Sequence, residues 1–425
     1  MNIDIWANQL RLPDNSIATI KECLKQFNPE EFNALHDFLN SEKIVEHCRL
    51  IKLDNNADIT KLLTVRDIIV SDKAILSYVK LIYLVLTQGI DPFIVNKLPT
   101  LEAIIPEDYA VVSLLIVLES IPLMFQSYER QDIAQNVIDD TILGLKNKVD
   151  SCRAFTGKLG IFAQQVGWHS LYIKGELYRL GRMEYKLIPA RKAIEAFRNR
   201  TTGEVILLIR PPEKLSKDGY IVDNDDSGRE PEYSQSADSV IGTPVSPLGF
   251  ALKTTITLPF SEWELIYGEG YYSIDMHIPP GGRMTPAACR DSFKKALDFF
   301  ADCFPDKKAP AVYCRSWIFN TQFEALLPES NMAKLMREVY LFPILSSGRD
   351  GMAFIFGQEY DDLTKAPCET SIQRAMLHIL KSGKKLRASG MLFFKDDLDK
   401  FGTGYYRKIS QLTPWMHTQN RPRSG

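Results

Sequence analysis

An aspartate and a histidine lie two residues apart in a strand-like pattern over residues 271–278. Apolar and polar side chains alternate there in the order Tyr272, Ser273, Ile274, Asp275, Met276, His277 and Ile278. Because side chains at positions i and i+2 share one face of a strand, Asp275 and His277 are predicted to lie side by side. A carboxylate that orients an imidazole ring is a workable general base. The alternative is a satisfied polar pair on a sheet face that packs against a helix, since unpaired ionisable groups are costly there.

A tight turn and a helix start follow this strand directly. Gly281 and Gly282 allow the backbone to turn sharply, and Thr285 is predicted to cap a helix that has Pro286 at its first position. Free N–H groups at such a helix start attract anions, and Arg283 in the turn could form a bidentate contact with a phosphate. The pattern is typical of an anion or phosphate cradle. An ordinary strand-to-helix connection is the alternative.

Three more polar residues are candidate functional groups. Cys314 and Ser316 share one face of the next predicted strand, but neither lies in a G-x-S-x-G sequence, and Cys314 is better explained as a small core residue. Asn331 follows Ser330, and helix capping explains it more simply than contact with a ligand.

Several familiar sites are missing from the sequence. It contains no GxxxxGK[ST], no GxGxxG before a helix, no HExxH and no triad signature. The seven cysteines are scattered without CxxC spacing, and the histidines other than His277 are isolated. We therefore predict no metal site and no disulfide framework, which fits a reducing cytoplasm.

Composition narrows the classes of partner. With 425 residues and a formal net charge of -2, the chain is long enough for two domains and lacks the positive charge that attracts nucleic acid. The apolar windows 78–86 and 109–118 are shorter than the roughly 20 residues of a spanning helix, so we expect core helices and no membrane span. The N-terminal residues lack a secretory pattern, so we expect a cytoplasmic protein.

The spacing of apolar residues predicts where the two domains lie. In residues 1–155 apolar residues recur at three- and four-residue intervals, which predicts an all-helical domain. Residues 156–425 carry strand and helix patterns, including a hairpin about the polar turn 199–203. The stretch 223–247 is rich in Asp, Ser, Gly and Pro, which predicts a long surface loop.

Strands and helices alternate through the remainder of the second domain. After the helix that Thr285 begins, strand patterns occur at 312–319, 339–347 and 352–357, with a helical pattern between the first two. This order predicts a mixed sheet with helices on both faces.

Several segments of the sequence together resemble one protein family. These segments are Trp168–Tyr172, Leu177–Arg182, Ser261–Leu265, Ile274–Pro279, Met284–Pro286, Cys314–Trp317, Ser330–Asn331 and Thr370–Ala375. They resemble the bacterial two-domain acyltransferase-like proteins, which have a helical N-acyltransferase N-terminal domain and a GNAT-like C-terminal domain. The resemblance extends over nearly the whole chain, and it implies an α+β fold with a GNAT-like mixed α/β sheet domain.

The resemblance also implies a ligand. In a GNAT-type fold a strand, a pyrophosphate-binding loop and a helix hold acyl-CoA, with the acyl carbonyl near the strand. That implies a cofactor-binding role for the loop residues Gly281, Gly282, Arg283 and Thr285. The segment at Asn331 and the later Tyr340 resemble the part of a GNAT domain that carries an Asn and a proton-donating Tyr, which implies a cofactor-binding role for Asn331 as well.

Together these observations predict an acyl-CoA-dependent acyltransferase, of the N-acyltransferase type. It would move an acyl group from acyl-CoA or acetyl-CoA to an amine of a small molecule or peptide, and His277 with Asp275 would deprotonate that amine. The acyl chain, the acceptor and the oligomeric state are not predicted.

Two other functions remain open from the sequence. The segment 279–286 departs from the usual GNAT glycine spacing, which favours a non-catalytic GNAT-like sensor or protein-interaction module. A hydrolase that uses Cys314 or Ser316 is the third possibility.

Overall fold

The contacts within the chain divide it into two structural units. The computed structural model describes residues 3–223 and 228–408, with unit 1 formed by Met1–Leu180 and Ile278–Gly282 and unit 2 by Gly181–His277 and Arg283–Gly425. The sequence places the boundary after residue 155, whereas residues 156–180 group with unit 1. Part of the reason is that Tyr128 donates a hydrogen bond of 2.7 Å to the carbonyl of Leu177. Residues 409–425 of the predicted second domain lie outside the described residues.

Unit 1 is helical, as its apolar spacing predicts. Its elements are α1 (Ile3–Gln9), α2 (Ile17–Leu24), α3 (Pro29–Ala34), α4 (Ser41–Leu50), α5 (Asn56–Ser71), α6 (Lys73–Gln88), α7 (Tyr109–Glu119), α8 (Ile121–Glu129), α9 (Gln135–Thr156), α10 (Ser170–Ile173) and the short strand β1 (Tyr178–Leu180). The stretch Tyr109–Glu129 is long and apolar enough, by composition, to cross a membrane. Most of it is buried inside the protein, which is typical of the core helix of a globular domain.

Within its described residues, unit 2 contains the remaining strands and five further α-helices. They are β2 (Met183–Pro189), β3 (Ile194–Asn199), β4 (Val205–Ile209), β5 (Lys214–Leu215), β6 (Ile221–Val222), β7 (Tyr233–Gln235), β8 (Ser239–Ser246), β9 (Phe250–Ala251), β10 (Ile256–Pro259), β11 (Trp263–Tyr267), β12 (Tyr272–His277), α11 (Pro286–Cys303), β13 (Ala311–Ser316), α12 (Thr321–Leu326), α13 (Asn331–Glu338), β14 (Tyr340–Pro343), α14 (Met352–Phe356), α15 (Ser371–Lys381) and β15 (Ser389–Phe394). Helices and a mixed sheet occur together here, which confirms the predicted fold class.

Two sheets form the centre of unit 2. In the main sheet the strands follow the order β2-β12-β13-β15-β14, with β12 and β13 parallel and the other neighbours antiparallel. The second sheet has the order β10-β8-β4-β3-β11, and β7 and β9 also pair with β8. β3 and β4 form the predicted hairpin about the turn at 199–203.

The two faces of the main sheet have different neighbours. Helix α11 packs on one face, against β2, β12 and β13. On the other face Tyr267 of β11 meets Ser273 of β12 at 2.6 Å, and Tyr340 of β14 donates to the carbonyl of Val245 in β8. The second sheet therefore covers β12 and β14 where the sequence predicted a helix, so the expectation of helices on both faces is wrong for this part of the sheet.

The predicted loop 223–247 is also wrong over its second half. Strand β8 occupies Ser239–Ser246 and lies between β4 and β10. Gly242 lies close to β4, because a Cβ at this position would approach Leu208 Cδ1 to 2.9 Å and that side chain would have to shift. A strand rich in Ser, Gly and Pro carries little local strand signal. Residues 224–227 of the predicted loop lie outside the described residues.

A second misassigned element is the apolar run at 352–357. It forms the short helix α14, and the predicted strand at 339–347 is limited to β14. Gly351 and Gly357 at the two ends of α14 have left-handed backbones, with φ of 84° and 80°. An apolar run of this length has no periodicity that distinguishes a strand from a helix.

A fully buried carboxylate ties the second sheet to the end of the main sheet. Asp397, in a 3-10 turn just after β15, accepts hydrogen bonds of 2.8 and 2.9 Å from the Arg198 guanidinium of β3. Tyr406 donates to the same carboxylate at 2.8 Å, and Lys400 does so at 3.0 Å. These contacts satisfy a charge that has no exposure to solvent.

Replacing Asp397 should therefore destabilise unit 2. We expect Asp397→Ala to lower the free energy of unfolding by about 3–5 kcal/mol, because the Arg198 guanidinium would remain buried without its partner. Urea unfolding monitored by circular dichroism measures the change.

The exposed ion pair of Arg200 and Glu264, at 2.6 Å, provides the matched control. Glu264→Ala should change the free energy of unfolding by less than about 1 kcal/mol. Equal effects of the two substitutions would contradict a structural role for the buried carboxylate.

Candidate active site

Strand β12 is paired completely on one side and incompletely on the other. All its residues from Tyr272 to His277 pair with β2, whereas its pairing with β13 is limited to Ile274 with Val312 and Asp275 with Tyr313. Strand β13 itself pairs with β15 along its whole length. The two parallel strands therefore separate after Asp275 and Tyr313. Backbone N–H and C=O groups at such a separation are available to a ligand, because a ladder no longer uses them.

The face of β12 that carries the candidate base points toward the second sheet. Tyr185, the register partner of Met276, meets Ser292 of α11 at 2.8 Å, so Met276 lies on the face that α11 covers. Ser273 lies on the opposite face, against Tyr267 of the second sheet. Asp275 shares that face because it is two residues from Ser273. The pair therefore faces the second sheet rather than α11, and a purely structural polar pair stays the alternative to a catalytic one.

The predicted pair of Asp275 and His277 is in direct contact. Oδ2 of the aspartate lies 3.1 Å from Nε2 of the histidine, and the two side chains are 15% and 26% exposed. The contact lacks hydrogen-bond geometry at Nε2, so the two groups interact through charge and proximity, and the contact does not select one ring tautomer. Across the ladder, Lys186 and Glu184 of β2 are the register partners of Asp275 and His277. Two neighbouring strands thus present ionisable side chains on one face.

The turn after β12 has the predicted glycine conformations. Gly281 and Gly282 have φ of 87° and 60°, and a Cβ on Gly281 would lie 3.0 Å from Oδ1 of Asn147. Both glycines belong to unit 1, whereas Arg283 and Thr285 belong to unit 2. The positive φ values explain why glycine occupies these two positions.

The helix start in unit 2 is also as predicted. Thr285 caps α11 by accepting a hydrogen bond of 3.3 Å from the N–H of Ala288, and Pro286 is the first helical residue. Arg283 is exposed, and no ion pair joins it to another residue of 3–223 or 228–408. A cation without a partner near a helix start is suited to binding an anion.

The family resemblance also suggests Asn331 and Tyr340 as functional residues. The structure does not place them at the Asp275–His277 pair. Ser330, rather than Asn331, caps α13, through a hydrogen bond of 3.1 Å from the N–H of Ala333. Asn331 is the first helical residue, and within the described chain no hydrogen bond joins it to His277 or Arg283. Tyr340 is fully buried and donates to the carbonyl of Val245 at 2.5 Å. Its hydroxyl therefore has a structural partner.

Neither candidate nucleophile of the hydrolase alternative is available. Cys314 is 3% exposed, and burial, assisted by the charge of Asp275, raises the pKa of its thiol well above the ordinary value. The side chain of Ser316 caps the 3-10 turn Trp317–Phe319 by accepting from the N–H of Ile318. These contacts favour structural roles, as the sequence predicted for Cys314.

One residue at the strand separation was missed by sequence reasoning. Tyr313 lies opposite Asp275, is 1% exposed, and its hydroxyl has no hydrogen-bond partner among the described residues. In the sequence it is one aromatic residue within an apolar strand. The pairing partner that gives it significance lies 38 residues earlier in the chain.

No metal centre accompanies these side chains in the part of the chain that the structure describes. There, no group of three or more His, Cys, Asp or Glu residues is arranged to hold a metal ion.

Comparison with known proteins adds a family and a fold. The family model of the GNAT-like C-terminal domain matches residues 177–392, and no curated protein matches the sequence. The structure is similar to an acyltransferase mutant in complex with octanoyl-CoA and to an acyltransferase in complex with decanoyl-CoA and teicoplanin. Each has a TM-score of 0.58 and 18% identity, and each comparison covers 93% of this chain and 99% of the other. An acyltransferase in complex with CoA and 10C-teicoplanin is similar over the same shares, with a TM-score of 0.54 and 17% identity.

The environment of the cysteines predicts their reactivity. We expect a maleimide to label Cys303 and Cys368 in the native protein, because both are exposed, and to label Cys314 at least about tenfold more slowly. Mass spectrometry of digested samples measures the labelling, and urea-denatured protein is the control in which all three react. Fast labelling of native Cys314 would restore the hydrolase alternative.

Proposed function

Given that this chain belongs to the family of the GNAT-like C-terminal domain, we propose that it is an acyl-CoA-dependent acyltransferase with an amine acceptor. The main support is the contact of Asp275 with His277 where β12 and β13 separate. A base beside backbone groups that no β12–β13 ladder uses is suited to amine acylation, because the amine must lose a proton and the acyl group must be held still.

The similar structures support the choice of acyl donor. Those structures are complexes with octanoyl-CoA, decanoyl-CoA or CoA, and two of the complexes also contain teicoplanin or 10C-teicoplanin. We therefore propose an acyl-CoA as co-substrate and an amine of a small molecule or a peptide as acceptor. Arg283 and the start of α11 at Thr285 are our proposed contacts for the CoA phosphates within unit 2. The cofactor-binding roles of Gly281, Gly282 and Asn331 stay predictions.

The proposed mechanism rests on His277 and Asp275. An acyl-CoA supplies an acyl group already activated as a thioester. A primary amine is mostly protonated at neutral pH, since its ordinary pKa is about 10. His277 accepts a proton from the attacking amine, and the adjacent Asp275 carboxylate stabilises the imidazolium that forms. Both side chains are largely withdrawn from water, which strengthens their attraction.

A non-catalytic sensor or interaction module remains the second candidate. The observation that favours it is the placement of the two segments that resemble GNAT catalytic residues. Asn331 is the first residue of α13, and the hydroxyl of Tyr340 donates to the Val245 carbonyl. Both segments therefore have structural roles. Such a protein would keep the fold and bind a ligand without transferring an acyl group. A bacterial source, a cytoplasmic location and the absence of nucleic-acid partners also stay predictions.

Substitution of His277 separates the two candidates. We expect His277→Ala to bind octanoyl-CoA with an unchanged dissociation constant and to lose about 10²- to 10⁴-fold in acyl transfer, because the general base is removed. Isothermal calorimetry measures binding, and release of free CoA thiol in the presence of a panel of primary amines measures transfer. His378→Ala is the matched control, because His378 is exposed on α15.

Each outcome has a distinct meaning. Absence of binding of acetyl-, octanoyl- and decanoyl-CoA to the wild-type protein would overturn the proposed co-substrate. Binding without transfer to any amine would favour the sensor. Transfer that survives in His277→Ala would show that another group acts as the base.

A further inference from the structure

The hydroxyl of Tyr313 is buried and has no hydrogen-bond partner in the described part of the chain. The residue is 1% exposed, and no described residue accepts from or donates to its oxygen. Buried hydroxyl groups are normally hydrogen-bonded. A buried hydroxyl group without a hydrogen bond lowers the stability of the fold, so its presence needs an explanation. One explanation is that the hydroxyl forms a hydrogen bond with a polar atom of a bound ligand. The residues around Tyr313 bear on this explanation.

The position of Tyr313 in the sheet places its side chain on the face of the candidate base. Tyr313 pairs with Asp275 on one side and with Leu392 of β15 on the other. Paired residues of neighbouring strands project to the same face. The phenol therefore extends from the sheet beside the Asp275–His277 contact, at the last paired position before β12 and β13 separate.

Packing, and not the hydroxyl, holds the ring in place. The ring of Phe342 in β14 stacks on that of Tyr313, with centroids 5.9 Å apart and planes inclined by 30°. Gly390 of β15 makes room for Phe342, because a Cβ at that position would lie 2.0 Å from Cζ of the Phe342 ring. The phenol is thus fixed by apolar contacts, which leaves its O–H group pre-positioned for another partner.

The phenol is suited to donate a hydrogen bond rather than to accept a proton. Burial raises the pKa of Tyr313 well above its ordinary value, and the neighbouring Asp275 acts in the same direction, against Arg191 and Arg315. The other buried tyrosines beside it are already bonded. Tyr267 meets Ser273 at 2.6 Å, and Tyr340 donates to the Val245 carbonyl.

We propose that Tyr313 is a further catalytic residue, whose hydroxyl donates a hydrogen bond to the thioester carbonyl oxygen of the acyl donor. This proposal rests on the proposed acyltransferase function. During transfer the amine nitrogen forms a bond to the carbonyl carbon and the carbon–sulfur bond breaks. An ammonium acceptor first releases one proton to solvent. The proton that the attacking nitrogen then loses passes to His277 and on to the departing CoA thiolate. Tyr313 keeps its proton throughout and stabilises the negative charge that develops on the carbonyl oxygen.

The first test is Tyr313→Phe. We expect kcat for transfer from octanoyl-CoA to fall by about 10²- to 10³-fold, with a much smaller change in KM, because the hydrogen bond strengthens as charge develops. The urea midpoint should change little, because no described residue forms a hydrogen bond with the lost hydroxyl. Tyr340→Phe is the matched control, because it removes a hydrogen-bonded hydroxyl from another buried tyrosine. We expect the urea midpoint of Tyr340→Phe to fall and its kcat to be largely kept.

The second test measures binding of acyl-CoA analogues in the absence of turnover. S-octyl-CoA is a thioether that lacks the carbonyl group, so the ratio of its dissociation constant to that of octanoyl-CoA reports on contacts to the carbonyl oxygen. We expect Tyr313→Phe to reduce this ratio by about tenfold relative to wild type, and Tyr340→Phe to leave it unchanged. Calorimetry measures both constants.

The outcomes distinguish this proposal from the function on which it rests. If wild type binds and transfers acyl groups but Tyr313→Phe changes neither kcat nor the binding ratio, the role of Tyr313 is overturned and the proposed function stands. If wild type binds neither octanoyl-CoA nor S-octyl-CoA, both are overturned. A loss of kcat with a lower urea midpoint and an unchanged binding ratio would make Tyr313 a structural residue, which also overturns the proposal.

Discussion

The incomplete pairing of β12 is the constraint on which the candidate site depends. Its ladder with β2 covers all six residues from Tyr272 to His277, so the register of the strand is fixed. A slip of one residue would move Asp275 and His277 to the face that α11 covers. Its ladder with β13 ends at Tyr313, which leaves the carboxyl ends of the two parallel strands apart. One strand therefore both orients the candidate base and opens the sheet beside it.

The opposite face of β12 explains how the strand tolerates these ionisable groups. Ile274 and Met276 are almost fully buried, and they supply the apolar contacts that hold the strand in the sheet. Asp275 and His277 contribute little to that core, and each offsets part of the cost of burying the other. The second sheet then covers the polar face through Tyr267 and its contact with Ser273. The base is thus partly withdrawn from water without being sealed off.

Local signals explain which parts of this arrangement could be predicted from the sequence. The alternation along β12 and the Thr285 cap of α11 depend on neighbouring residues, and both were predicted. Strand β8 was missed because its Ser, Gly and Pro residues resemble a loop until β4 and β10 pair with it. The sequence placed Asp275 and His277 on one face, but their contact depends on side-chain rotamers. Tyr313 was missed because its importance arises from a partner in another strand.

The two tyrosines of the main sheet show why a role cannot be transferred by sequence position alone. Resemblance to GNAT proteins pointed to Tyr340 as a proton donor, yet its hydroxyl is bonded to the backbone of β8 and would have to break that bond to act. Donating to a substrate is favourable when the donor does not first lose an equivalent hydrogen bond. Tyr313 meets that condition, because its ring is held by Phe342 and its hydroxyl has no partner within residues 3–223 and 228–408. What a hydroxyl already binds is therefore a better guide to its chemistry than where it stands in a motif.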